Sequence, residues 1–197
     1  MQYYQEITLL PNPEVGLNFL WTKVFQQIHL GLVEIQDVQK QVPIGVSFPA
    51  YSAEKPASLG DKCRLFADDE AMLERFDAKK WLARLSDYVH CTGIRPVPAK
   101  RSGYAVYRRV QPKNNTHRLA RRYAKRHEIG LEQALRHYQG RSPASTQSPF
   151  IRLRSLSSGE MFCLFISKTS VAEAIDNSGC RCFSTYGLSA TRTVPEF

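Results

Sequence analysis

The spacing of apolar residues changes from one segment of the chain to the next. Residues Tyr3 to Leu10 alternate loosely between apolar and polar, which predicts a strand ended by Pro11 and Pro13. Apolar residues then recur at intervals of three and four, and this spacing predicts a well-marked amphipathic helix: Leu17, Leu20, Trp21, Val24, Phe25, Ile28 and Leu32. The chain therefore opens with a strand followed by a helix.

Alternating strands and helices are predicted as far as residue 94. Short strands are predicted at Ile44–Phe48, Cys63–Phe66 and Tyr88–Ile94. A helix is predicted after Asp68 and Asp69, which are N-cap candidates, and it has a second piece around Trp81, Leu82 and Leu85. The order strand, helix, strand, strand, helix, strand is that of a ferredoxin-like, or RRM-like, unit. The sequence thus predicts an α+β protein whose first domain spans residues 1–94.

A linker at residues 95–104 precedes a second α+β domain at residues 105–197. Its predicted elements are a strand at Ala105–Gln111, a helix at about 115–127 capped by Asn114, Asn115 or Thr116, a helix at Leu131–Tyr138 ending at Gly140, a loop at 141–149, and a hairpin of Phe150–Ser155 with Glu160–Ser167. Leu119 and Tyr123 lie on one face of the first helix and are expected to dock it on the core.

Charge divides the chain into two unlike parts. Residues 1–94 hold 9 basic and 12 acidic side chains, whereas residues 95–197 hold 18 basic and 6 acidic ones. Between residues 95 and 127 there are eleven Lys or Arg and no Asp or Glu. The last five follow helical spacing and predict an arginine-rich stripe: Arg118, Arg121, Arg122, Lys125 and Arg126. Such a stripe repels itself unless a polyanion lies along it, and a nucleic-acid backbone is the polyanion we expect.

Other bulk properties narrow the class of protein. No stretch approaches the roughly 18 apolar residues that span a bilayer, and no secretory signal is visible, so we expect no membrane contact. The odd number of cysteines, five, is typical of a reducing cytoplasm. Cys180 and Cys182 lack a second pair at zinc spacing. We therefore expect neither a metal nor a cofactor, and a monomer when the chain is free.

The residues alone suggest a chemistry but not its site. The only acidic cluster, Asp68-Asp69-Glu70, is placed to cap a helix, and no phosphate-binding glycine motif is present. RNA can be cut without metal if a base, usually histidine, activates its 2′-hydroxyl. The chain holds five histidines: His29, His90, His117, His127 and His137. The spacing of His29 suits a residue at the edge of the core equally well. A purely structural role, in a turn or in packing, is also expected for Ser155, Ser157, Ser158 and Tyr186.

Several segments together resemble a known family. They occur in the order Phe25–His29, Ile44–Pro49, Arg109–Gln111, Arg118–His127, Leu153–Phe162, Tyr186–Ser189 and Val194–Phe197. In this order and spacing the chain is similar, essentially end to end, to the CRISPR repeat-processing endoribonucleases of type I-F systems. The resemblance implies a metal-independent enzyme of the prokaryotic cytoplasm. Such an enzyme cuts pre-crRNA at the base of a stem-loop, leaves a cyclic-phosphate product and stays on the crRNA 3′ hairpin within an effector complex of several subunits.

The resemblance also implies roles for single residues. His29 would be the general base, Ser155 would hold the attacking 2′-hydroxyl, and Tyr186 would orient the His29 ring. Arg109 and Gln111 would read base edges, with Arg suited to guanine and Gln to adenine. The remaining RNA contacts would be Phe162, stacked under the terminal base pair, Ser157, and the helix that enters the major groove, with Arg118, Arg121, Arg122, Lys125, Arg126 and His127.

Two other functions remain open from the sequence. The chain could bind an RNA stem-loop without cutting it, as a subunit of the effector complex, although no aromatic-rich RNA-binding strand is visible. It could also coat DNA or ribosomal RNA without sequence choice. Preference for one RNA hairpin over duplex DNA would separate the endoribonuclease and the stem-loop binder from a protein that coats nucleic acid without sequence choice. The group that protonates the leaving oxygen is open among His29, a water and a nearby Lys or Arg.

Overall fold

Two larger antiparallel sheets, one two-stranded antiparallel sheet and a set of helices make up the described part of this mixed α/β chain. A computed structural model describes residues 1–112, 116–138, 146–155, 157–175 and 183–197, with the side chains of residues 116–118 outside the description. By packing, the described chain divides into two compact units. The first consists of Met1–Val110 with Ser148–Phe197, and the second of Gln111–Gln147. The boundaries predicted from the sequence, at residues 94 and 105, follow the order of predicted elements and the Pro- and Gly-containing linker, and they stay a prediction.

The described part of the first unit contains all three sheets and three α-helices. In chain order its elements are β1 (Tyr3–Leu9), α1 (Leu17–Glu34), β2 (Gln41–Val42), β3 (Gly45–Ser47), β4 (Lys62–Ala67), α2 (Glu70–Phe76), α3 (Ala78–Trp81), a 3₁₀ turn (Ala83–Leu85), β5 (Val89–Cys91), β6 (Arg95–Pro96), β7 (Gly103–Val110), β8 (Phe150–Arg154), β9 (Met161–Val171), β10 (Phe183–Ser184) and β11 (Val194–Glu196). The second unit contains α4 (Thr116–His127) and α5 (Leu131–Tyr138).

The first sheet has the strand order β3-β4-β1-β5, with β6 also paired to β1. Every pairing is antiparallel, and Ile7 of β1 lies between Cys63 of β4 and Cys91 of β5. Ile7 and Leu9 are buried and alternate with polar residues. This is the period-two pattern of a sheet with one face on the core, as the sequence predicts.

The second sheet has the order β11-β7-β9-β8, again antiparallel throughout, so β8 and β11 are its edges. Strands β2 and β10 form a separate small pair. These two strands and β11 are not predicted from the sequence. Two or three residues carry no measurable periodicity, and Pro195 in β11 argues against a strand except at an edge, where it lies.

Helix α1 contributes several large side chains to the shared core of this unit. Its buried side chains repeat the predicted spacing: Leu20, Trp21, Val24, Phe25, Ile28 and Leu32. Each large side chain buried in this way is worth about 1.5–3 kcal/mol. Gly31 permits close packing, because a Cβ at this position would lie 2.7 Å from ring atoms of both Phe76 and Trp81. The helix is thereby held rigidly against α2 and α3.

The two acidic cap candidates have different roles. Asp69 caps α2 as predicted, since its carboxylate accepts from Met72 N–H at 2.8 Å. Asp68 is not a cap, and that expectation is wrong for it. Its carboxylate instead pairs with the Met1 amine at 2.8 Å and with Arg192 at 3.0 Å, and the resulting attraction holds the pKa of Asp68 below its ordinary value against the opposing effect of burial.

The predicted strand at Tyr88–Ile94 is divided, since only Val89–Cys91 pairs as β5 and pairing resumes at β6. The helix predicted at about 115–127 and the one at Leu131–Tyr138 are present as α4 and α5. Asn114, Asn115, Gly140, most of the 141–149 loop, Cys180 and Cys182 lie outside the described residues.

Candidate active site

His29 lies on the buried face of α1, near the middle of the helix, and only 7% of its surface is exposed. Its imidazole stacks on the ring of Tyr186, with the ring centroids 4.3 Å apart and the planes inclined by 15°. A stack this close leaves the imidazole little freedom to rotate. That Tyr186 orients His29 for catalysis stays a prediction.

A hydrogen bond determines which nitrogen of His29 carries the proton. Nδ1 lies 2.7 Å from the backbone carbonyl oxygen of Thr185. Because a carbonyl oxygen can only accept, Nδ1 must donate, and the neutral ring keeps its lone pair on Nε2. Nε2 makes no hydrogen bond to any described residue.

Burial lowers the pKa of His29 below its ordinary value, and the bond to the Thr185 carbonyl opposes this shift only in part. Desolvation disfavours the charged imidazolium, so the ring is neutral near pH 7. A neutral ring with its proton on Nδ1 presents Nε2 as a proton acceptor. This is the state that a general base requires.

The turn Ser184–Gly187 carries both partners of His29. Gly187 N–H donates to Ser184 O at 2.7 Å and closes the turn, while Gly187 O accepts from Val46 N–H at 2.8 Å and fastens it to β3. Gly187 has φ of +68°, a left-handed conformation that favours glycine. Lack of space is a second reason for glycine at this position, since a Cβ there would lie 2.2 Å from Val46 Cγ2.

Ser155 follows β8 directly and opens the loop to β9. Its Oγ accepts from Ser158 N–H at 3.2 Å and lies 3.2 Å from Ser157 Oγ. Its backbone N–H donates to Glu160 O at 2.8 Å. Ser155 is half-buried, whereas Ser157 and Ser158 are exposed. The loop therefore presents a group of hydroxyls whose positions are held by backbone bonds.

Arg109 and Phe162 surround the other side of Tyr186. The Arg109 guanidinium carbon lies 5.5 Å from the ring centroids of both Tyr186 and Phe162, within cation–π range. The Phe162 and Tyr186 rings meet edge to face at 6.4 Å. The structure thus joins four of the residues singled out from the sequence, His29, Tyr186, Arg109 and Phe162, in one chain of contacts.

The second unit carries the basic stripe on α4. Arg121, Arg122, Lys125 and Arg126 are exposed, while Ala120 is buried and Tyr123 half-buried. The side chain of Arg118 lies outside the description. Gln111 begins this unit and is exposed. The four described cations of the stripe therefore face solvent, as a surface for a polyanion must.

Tyr123 joins the two helices of this unit, although the sequence predicts that it docks α4 on the core. Its ring stacks on His137 of α5 at 4.4 Å with an 8° inclination, and it meets Tyr138 edge to face at 5.9 Å. His127 lies against the same ring at 4.2 Å. His127 is thus exposed but already in contact with Tyr123.

Two parts of the site could not be found by sequence pattern. The Thr185 carbonyl is a backbone group, which residue identity does not mark. Gln26 accepts from the Arg154 backbone N–H at 2.9 Å, although the two residues are 128 positions apart. The sequence signals nearest to them are Gly187, which marks the turn, and His29, which lies one helical turn after Gln26.

No group of three His, Cys, Asp or Glu side chains within the described ranges is arranged to hold a metal ion. None of the helices in the described part of the chain is both long and apolar enough to cross a bilayer.

Comparison with known proteins shows similarity over the whole chain. The family model described as CRISPR-associated protein (Cas_Csy4) matches residues 4–197. The chain is 36% identical over 198 residues to a CRISPR-associated endonuclease Cas6/Csy4 of Escherichia coli (strain UTI89 / UPEC), with 100% of both chains covered. It is 34% identical over 197 residues to the protein of the same name from Pseudomonas aeruginosa (strain UCBPP-PA14), again with 100% of both covered. A solved structure described as an RAMP protein binding different RNA substrates covers 98% of this chain and 100% of its own, at 12% identity and a TM-score of 0.35, which is too low to carry an argument.

Proposed function

Because the chain belongs to the Cas_Csy4 family of CRISPR-associated proteins, we propose that it is the endoribonuclease that cuts CRISPR repeat RNA at the base of its stem-loop. The observation that carries this proposal is the His29 site. A buried imidazole is held by the Thr185 carbonyl and the Tyr186 ring in the neutral form with a lone pair on Nε2.

The proposed reaction needs no metal. His29 Nε2 takes the proton of the 2′-hydroxyl upstream of the cut. The 2′-oxygen forms a bond to phosphorus, and the bond from phosphorus to the 5′-oxygen breaks. The departing 5′-oxygen takes a proton from protonated His29, a water or a nearby Lys or Arg, and a 2′,3′-cyclic phosphate and a 5′-hydroxyl result. The 2′-oxygen must lie in line with the leaving oxygen, so placement of the ribose accounts for much of the rate.

Ser155 is the residue proposed to place the ribose. Its Oγ can exchange the contact with Ser157 Oγ for one with the 2′-hydroxyl, because both partners are hydroxyls that donate and accept. The bond from Ser158 N–H keeps Ser155 Oγ in place meanwhile. Ser157, exposed beside it, is proposed to contact the same part of the RNA backbone.

RNA recognition is assigned to two groups of residues. Arg109 and Gln111 are proposed to read base edges near the foot of the stem, where Arg suits guanine and Gln suits adenine. Phe162 is proposed to stack on the terminal base pair, a contact typically worth about 1–3 kcal/mol. The exposed cations of α4 are proposed to line the RNA groove as the arginine-rich helix, with Arg118 and His127 at its flanks.

The fold supports a finer assignment of the first part of the chain. The order β3-β4-β1-β5, with α1 after β1 and α2 after β4, follows the antiparallel arrangement of a ferredoxin-like domain. We assign residues 1–94 to this domain and 105–197 to the RNA-binding part. The enzyme is further proposed to stay on the 3′ hairpin of the crRNA and to join other subunits of the effector complex.

A non-catalytic stem-loop binding subunit is the alternative, and it would share the basic surface. The test is cleavage of a labelled repeat RNA in EDTA, comparing the wild type with His29→Ala and a 2′-deoxy substitution at the cut. Wild-type cleavage that both changes abolish, with binding intact, supports the proposal. Tight binding without cleavage would establish the alternative. Cleavage that needs a divalent metal would refute the mechanism.

A further inference from the structure

Among the described strands, β8 has a partner on one side only. It is an edge of the second sheet, so alternate N–H groups face away from β9. Ser155 N–H faces inward, since it donates to Glu160 O at 2.8 Å. The preceding N–H, that of Arg154, therefore faces outward. It donates to the side-chain oxygen of Gln26 at 2.9 Å.

This hydrogen bond joins the two halves of the catalytic site. Gln26 lies on α1 three residues before His29, so the two side chains are neighbours on the helix surface. Arg154 lies immediately before Ser155, and consecutive Cα atoms are only about 3.8 Å apart. One bond thus connects the helix that carries the base to the strand end that carries the proposed ribose-binding serine.

Arg154 also holds the far side of the loop. Its Nε–H donates to Gly159 O at 2.9 Å, and Gly159 N–H donates to Ser155 O at 2.9 Å. Arg154 therefore restrains Ser155 in two ways, as its chain neighbour and through Gly159. A shift of Arg154 toward or away from α1 would move Ser155 with it.

We propose that Gln26 is a positioning residue for RNA cleavage: its side-chain oxygen holds Arg154, and through it Ser155, at the correct distance from His29. The inference rests on the proposed function and adds to it a residue that acts through another. Loss of the acceptor leaves the outward N–H of Arg154 without its partner, and the loop can then move relative to α1.

Positioning predicts a specific kinetic effect. Displacement of a positioning group by about 1 Å can cost roughly 100-fold in rate. Since α1 still packs along β8 without Gln26, we expect a partial displacement and a loss of about 10-fold. RNA affinity should change less than about twofold, because the basic surface that supplies most of the binding is untouched.

The experiment measures single-turnover cleavage of labelled repeat RNA in EDTA at saturating enzyme, together with the dissociation constant of an uncleavable 2′-deoxy RNA. Gln26→Leu removes the acceptor and keeps the length of the side chain. Gln27→Leu is the matched control, since its amide has no bond to β8. Both variants are also made in a Ser155→Ala background.

We expect Gln26→Leu to be slow with unchanged affinity, Gln27→Leu to cut at the wild-type rate, and Gln26→Leu to add no further loss to Ser155→Ala. A wild-type rate for Gln26→Leu would overturn the inference and leave the proposed function intact. An equal loss in both backgrounds would also overturn it, because the glutamine would then not act through Ser155. Absence of cleavage by the wild type would instead refute the proposed function, before any variant is compared.

Discussion

Replacing Gly187 with alanine is expected to displace the turn that faces His29. The new Cβ would lie 2.2 Å from Val46 Cγ2 and 3.0 Å from Val46 Cβ. Val46 cannot easily retreat, since it is buried in β3 and donates its N–H to Gly187 O. The φ of +68° adds strain for any residue with a side chain. Movement must therefore occur in the turn itself.

The size of the effect follows from these contacts. A left-handed non-glycine residue costs about 1–3 kcal/mol, and overpacking in a core costs a further 1–3 kcal/mol, so the free energy of unfolding should fall by about 2–6 kcal/mol. For a chain of this length that corresponds to a melting temperature lower by roughly 4–24 °C. Relief of the clash needs a shift of about 1.2 Å, from 2.2 Å to the 3.4 Å of ordinary contact. A shift of this size at Thr185 and Tyr186 should lower the cleavage rate by about 100-fold.

The assay pairs thermal melting with single-turnover cleavage below the melting temperature. Gly93→Ala is the matched control, because no atom lies within 4 Å of its Cβ position and its φ is not in the left-handed region. The control should match the wild type in both measurements. If Gly187→Ala melted within about 1 °C of the wild type and cut at the same rate, the turn would not position His29 and the reasoning would be wrong.

Four further predictions test other parts of the site. Since burial lowers the pKa of His29, the cleavage rate should rise with pH and level off with an apparent pKa below about 6.5, and a rate that still climbs at pH 8 would contradict a neutral base. Because the pKa of His29 is lowered in the folded state, its contribution to the free energy of unfolding is complete above about pH 6.5 and is lost as the pH falls from there toward the folded-state pKa. Between pH 7 and pH 5 the melting temperature of the wild type should therefore fall by more than that of His29→Asn. Tyr186→Phe keeps the stacked ring and should cut within a few-fold of the wild-type rate, whereas Tyr186→Leu should be about 10-fold slower if orientation of the base matters; equal rates would remove that role. Arg109→Ala should lower discrimination at a single base by about 1–3 kcal/mol. Arg122→Ala should instead weaken binding to all repeat variants and reduce the slope of log affinity against log salt concentration by about one unit. Binding titrations that show the same pattern for both variants would refute the separate roles of Arg109 and Arg122.

The elements with a long periodic signal were predictable from the sequence. Helix α1 and strands β1 and β4 lie where the apolar spacing predicts them. The basic stripe of α4 is predicted by the helical intervals between its Lys and Arg residues. Such patterns are local, because every residue of a helix or strand is related to its neighbours by the period of that element. The identity of His29 as a candidate base came from family resemblance, since its spacing alone suits an edge of the core equally well.

The rest depended on contacts between distant parts of the chain. His29 and Thr185 are 156 positions apart, and Gln26 and Arg154 are 128 apart. No sequence period relates such residues, and the short strands β2, β10 and β11 exist only because partners close in space complete their hydrogen bonds. Sequence by itself thus determined which side chains were available for chemistry and which faces they share. Tertiary structure decided which nitrogen of His29 is protonated, the lowered pKa of that ring, and the hydrogen bond from Gln26 of α1 to the backbone beside Ser155. These features follow from burial and from backbone groups that only the folded chain brings together.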